Sequence, residues 1–156
     1  MKANSAYVKL ISLLLAIGGA VGIGVSLWAL SHAASLKKAM LTIAFATIFG
    51  WATWTGVDLW RHKPRALKSA MILLALQIPS ISIPSFAYQF YTGLSFLVSF
   101  TPPANVGLEF HVASLISFQA SPDVQDVVIG INVVAVAALI WLIHLLARAR
   151  DSAARK

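Results

Sequence analysis

The chain has 156 residues, 59% of them hydrophobic and 11% charged, with no cysteine and a formal net charge of +7. A water-soluble domain carries about a quarter charged residues, so the composition excludes an ordinary soluble globule and indicates an integral membrane protein. The missing cysteine excludes disulfides, thiolate metal sites and thiol redox chemistry. The basic residues flank apolar runs, which assigns them to topology and lipid headgroups rather than to nucleic acid.

The pattern predicts a membrane α-helical fold: a four-transmembrane-helix bundle with a small extracytoplasmic β-hairpin between helices 3 and 4. It would form a single integral membrane domain over residues 1–156. The first span covers residues 8–30. Met1–Lys9 is basic and "SHA" at Ser31–Ala33 resembles a cleavage site. However, the apolar run exceeds the ~7–15 residues of a signal-peptide core, so it reads as an uncleaved span. The second span covers residues 37–60 and the third residues 64–84. Pro64 starts the third as a first-turn proline, Pro79 kinks its last turns, and Pro84 marks its exit from lipid. The fourth covers residues 122–148, with Ser121 as N-cap, Pro122 in the first turn and Asp123 at the positive helix end.

Charge orients these spans. Arg61, Lys63, Arg65 and Lys68 lie between the second and third, and Arg148, Arg150, Arg155 and Lys156 follow the fourth. Residues 101–126 hold no Lys or Arg but include Glu109, Asp123 and Asp126. The positive-inside rule then places both termini in the cytoplasm and the protein in the inner, or plasma, membrane. Lys37 and Lys38 oppose this assignment and are expected to snorkel to headgroups.

Between the third and fourth spans the hydrophobic period changes. Leu94, Phe96, Val98 and Phe100 alternate with small polar residues, and Val106, Leu108, Phe110 and Val112 alternate with Gly107, Glu109 and His111. A period near two predicts strands over residues 87–118, with "TPPAN" as the connection. Pairing Phe100 with Val106 sets Gly93 opposite Ala113, where both alternations break and a bend is expected. An interfacial helix over Phe86–Phe100 is the rival assignment, since Phe86, Phe90, Leu94 and Leu97 also fit a helical stripe.

Small residues mark helix faces. Gly18, Gly22 and Ser26 recur every fourth residue in the first span, Gly50 extends a stripe in the second, and Gly130 lies in the fourth. They are expected to pack helices within the bundle, or to join a homodimer or a protein partner. Trp51 and Trp54, with Thr47, Thr53 and Thr55, are expected to fill the bundle.

Ionisable and amide residues inside a membrane are the default functional candidates. Asp58, beside Arg61 and His62 on a helix face, Gln77 and Asn132 could form a polar core or a transport path. Glu109 and His111 stand two apart on one strand face, and His32 could join them as an outer metal site. No phosphate loop, His-Glu-x-x-His helix or nucleophile elbow is present. The expected function is therefore non-enzymatic and free of cofactors. It would be a structural, accessory or sensory membrane component that contacts lipid or a partner through its outer hairpin. The alternatives are a small transporter or channel using Asp58, Gln77 and Asn132, and a membrane enzyme with metal at Glu109, His111 and His32.

Overall fold

A computed structural model describes residues 5–33, 35–120 and 126–154. Four helices and four strands follow in the order α1 (Ser5–Ser31), α2 (Leu36–Trp60), α3 (Pro64–Gln77), β1 (Pro79–Ile83), β2 (Phe86–Thr101), β3 (Asn105–Ala120), β4 (Val128–Asn132) and α4 (Val133–Ala154). Among the described residues, two helices are long and apolar enough to cross a membrane: α1, with mean hydropathy 2.3, and α2, with 1.4.

The chain is not a four-transmembrane bundle. α3 has 14 residues and so reaches about 21 Å, short of a ~30 Å hydrocarbon core. It ends because Pro79, which has no N–H for a helix ladder, begins a strand of alternating Ser and Ile. The expected fourth span fails at its start. Val128–Asn132 is extended, paired with β1 and β2, and α4 begins only at Val133. Short apolar, β-branched runs such as "VIGIN" carry no periodicity that separates a strand from a buried helix. Ser121, Pro122 and Asp123, the expected cap, lie outside the described residues.

α1 and α2 are antiparallel neighbours in close contact. A Cβ on Gly19 would lie 2.6 Å from the Thr53 nitrogen, and one on Gly56 would lie 2.6 Å from the Ser12 carbonyl oxygen. Ser35 caps α2 by accepting from the Lys38 N–H. α3 buries Ala66, Ala70, Leu73, Leu74 and Gln77, a helical stripe. Tyr7 of α1 touches Trp141 of α4, and Lys9 lies over the Trp60 ring. The start of α1, the end of α2, the start of α3 and the later part of α4 therefore share one end of the molecule.

The sheet has the strand order β1-β4-β2-β3, wholly antiparallel. The long β2–β3 hairpin has the register expected from sequence, with Phe100 opposite Val106 and Gly93 opposite Ala113. β2 also pairs with β1 through Ser80–Gln89 and Ile83–Phe86, and with β4 through Leu97–Asn132 and Phe100–Ile129. β1 and β4 pair with each other. Since all three pairings are antiparallel, the first arm of β2 runs with β4 and the second arm runs against it. β2 must therefore fold back on itself. Gly93 sits between the arms with φ +80°, a left-handed conformation that glycine adopts without steric cost.

This corner rests on α1. A Cβ on Gly18, the midpoint of Ser5–Ser31, would lie 2.7 Å from the Thr92 carbonyl carbon and 2.9 Å from the Gly93 Cα. The hairpin expected beyond the helix ends thus has its corner against the centre of a helix.

Candidate functional site

The buried polar groups gather where the sheet meets the helices. Between its pairings with β1 and with β4, the β2 edge has no strand beside residues 90–96. Side chains complete it. Gln77, in the last turn of α3, accepts from the Thr92 N–H (3.1 Å) and donates from Nε2 to the Thr92 hydroxyl (3.0 Å). Asn132, at the β4–α4 junction, accepts on Oδ1 from the Phe96 N–H (3.3 Å) and the Ala135 N–H (3.4 Å). The second bond makes Asn132 the N-cap of α4. Its own Nδ2 is buried with no hydrogen-bond partner among the described residues. On the other side of the corner, the Ser114 hydroxyl accepts from the Gly93 N–H and donates to the Gly18 carbonyl.

Gln77 and Asn132 are therefore both buried and both bound to β2, but as backbone partners of a bent strand. A cavity of about 20 Å³ beside Gln77, Thr92 and Leu94 has room for about one water molecule. Asp58 lies elsewhere, paired with Lys63 at 2.8 Å near the end of α2. Asp58 therefore stands apart from the other two residues of the expected transport path. Thr92 and Ser114 do not stand out in the sequence, because short hydroxyl residues are ordinary in strands. For Thr92 the signal is the neighbouring Gly93, which breaks the alternation, and for Ser114 it is the neighbouring Ala113, set opposite that glycine.

Glu109 and His111 bond each other at 3.0 Å, and the His111 ring stacks on Tyr91. His32 instead contacts the Trp28 carbonyl and the Ser31 hydroxyl. Among the described residues, no group of three or more His, Asp or Glu is arranged to hold a metal ion. Of the small residues, Gly22 packs on the Phe49 ring of α2, whereas Gly18 packs on β2. Gly50 faces open space, and Gly130, a strand residue, packs on Leu97. Ser26 lines an open groove of about 340 Å³ between α1 and α2 with Leu30, Thr42, Ile43 and Thr47. The Thr42, Thr47 and Thr53 hydroxyls donate to carbonyls four residues back, so these donors are already engaged within the helix.

The faces of the sheet are sorted against the usual rule for water. In the second arm Ser95, Leu97, Ser99, Gly130 and Asn132 are buried. On the opposite face Phe100, Val106, Leu108, Phe110, Val112, Ile129 and Ile131 are apolar and 47% to 73% exposed, while Leu94, Phe96 and Val98 are half-buried and, on the first face, Glu109 of β3 is open. A sheet in water turns its apolar face inward. Apolar-out and polar-in is the pattern of strands surrounded by lipid. No protein-family model matches the chain, and no curated protein or solved structure matches it.

Proposed function

We propose that this chain is a non-enzymatic integral membrane component, structural or accessory in kind, that works through a surface. The surface is the outward face of the sheet, and its medium is hydrocarbon. The single observation that carries this is the inverted sorting of the second arm, with Ser95, Ser99 and Asn132 inside and Phe110, Val112 and Ile129 outside. Contact of the sheet corner with the midpoint of α1 supports the same placement. If α1 crosses the bilayer, Gly93 lies near its mid-plane.

In this arrangement α1 and α2 span the membrane, while α3 and α4 enter from one side and give way to strands part-way through. Lys9, Arg61, Lys63, Arg65, Lys68 and Arg148 belong to the end shared by the four helices. By the positive-inside rule that end faces the cytoplasm, as do the start of α1 and the end of α4. Lys9 over Trp60 and Lys63 over Trp54 fit an interfacial aromatic belt there. Transport is not proposed, because Gln77 is held by Thr92, Asn132 Oδ1 holds two backbone amides, and Asp58 is paired elsewhere with Lys63.

The chain has no cysteine, so single spin labels test the placement cleanly. A label at Ile131→Cys, 50% exposed and nearer Gly93, should in lipid vesicles be relaxed by dissolved oxygen and not by a water-soluble nickel chelate. One at Arg65→Cys should show the reverse. Equal access of the chelate to both positions would overturn the proposal.

A further inference from the structure

β3 closes one side of the sheet. One of its edges is paired with β2 from Asn105 to Thr101 through to Ala120 and Phe86. Among the described residues, no strand pairs with the other edge. An open edge carries a row of free N–H and C=O groups. Hydrocarbon contains nothing to bond them, so at membrane depth such an edge must be covered by other polar groups of protein. The second arm has few of the devices that blunt edges in water, and its one carboxylate, Glu109, is already bonded to His111. It has no lysine and no interior proline, and its apolar row is continuous from Val106 to Val112.

We propose that this edge pairs with the same edge of a second copy of the chain, antiparallel about a two-fold axis through Phe110. The inference rests on the lipid placement proposed above and goes beyond it by naming the occupant and the register. A two-fold contact is self-complementary: if residue i meets j, then j meets i. Keeping the apolar rows on one common face restricts the registers to those centred on a residue. Centring on Glu109 sets two carboxylates against each other, and centring on His111 sets two imidazoles together. Centring on Phe110 places Glu109 opposite His111 of the second copy, in both directions, so that a carboxylate faces a ring donor. It also sets Leu108 opposite Val112 and Phe110 opposite itself, and apolar cross-strand pairs of this kind stabilise a sheet. Glu109 and His111 already bond within one chain, so the pairing gathers four complementary groups at the axis. The two apolar faces then join into one wider face.

The test uses the full chain in mild detergent and in lipid vesicles, with single cysteines at exposed positions that a folded chain tolerates. With the axis at Phe110, two Phe110→Cys side chains face each other with Cβ atoms about 5 Å apart. Two Val106→Cys residues stand roughly 27 Å apart along the strands. Mild oxidation should convert Phe110→Cys, and not Val106→Cys, to a species of twice 16.7 kDa. Glu109→Lys should weaken the dimer in sedimentation, and adding His111→Glu should restore it. Equal cross-linking of the two cysteines, cross-linking of neither, or a monomer at all concentrations would overturn the pairing. A monomer whose Ile131 label still lies in lipid refutes the dimer alone. A cross-linked dimer whose label is reached by the chelate refutes the lipid placement alone.

Discussion

Gly18 of α1 and Gly93 of β2 meet backbone against backbone, and the Ser114 hydroxyl bridges them by accepting from one and donating to the other. The contact exists because neither residue carries a side chain. It holds the corner of the bent hairpin on the centre of the longest helix. The first prediction follows from comparing Gly18 with Gly24, whose missing Cβ would meet nothing within 4 Å.

Alanine is favoured over glycine inside a helix by about 1 kcal/mol. Gly24→Ala should therefore raise the thermal midpoint of the purified protein. Gly18→Ala gains the same propensity but forces a methyl into the Thr92–Gly93 backbone, and overpacking of this kind costs about 1–3 kcal/mol. Its midpoint should fall. Thermal unfolding followed by circular dichroism in one detergent gives both signs, and equal shifts would mean that the helix and the sheet are not in contact.

Gln77 and Thr92 make two bonds to each other, and the two ends of the pair are not equivalent. Gln77→Leu strands a buried backbone N–H and the Thr92 hydroxyl, and a buried donor left unmet costs about 1–3 kcal/mol. Thr92→Val keeps the backbone bond to Oε1 and frees only the Gln77 amide nitrogen. Gln77→Leu should be the more destabilising change when the two variants are unfolded side by side.

Asn132 caps α4 and also holds the Phe96 amide. Loss of an N-cap costs about 0.5–2 kcal/mol. Asn132→Ala should lower stability by that amount and accelerate hydrogen exchange at two amides distant in sequence, Phe96 and Ala135. Protection lost at Ala135 alone would show that the link to β2 is not made in solution.

Asp58, partly buried, pairs with Lys63, whose half-exposed ammonium opens the pair to solvent. Exposed ion pairs contribute about 0–1 kcal/mol. Asp58→Asn should leave stability nearly unchanged and should not alter proton or ion leakage from vesicles containing the protein. A flux lost on this substitution would revive transport as the function.

Much of the hairpin was legible in the sequence because its signal is local. Alternation from Leu94 to Phe100 and from Val106 to Val112 sets the faces, two prolines set the turn, and Gly93 marks the break. α1 and α2 were legible as long apolar runs. β1 and β4 were not, since five residues of "PSISI" or "VIGIN" have no period of their own. They are strands because each lies beside the other and beside β2, a circumstance that spans some fifty positions of chain. The four-span expectation failed on those two segments. Gln77 and Asn132 stood out as buried amides, but their partners did not. The backbone groups they satisfy become vacant only when β2 turns at Gly93, which no spacing within either segment records.

The pairing of β1 with β4 has an architectural consequence. The chain departs from the helical half at Ser82 and comes home at Val128, directly alongside. Whatever is threaded between those two points is an excursion with adjacent anchors. Its far tip, at the Pro102–Pro103 turn, can lengthen or shorten while α3 and α4 stay where they are. The ribbon's length is decided at its tip, and its seat is decided at the Gly93 corner.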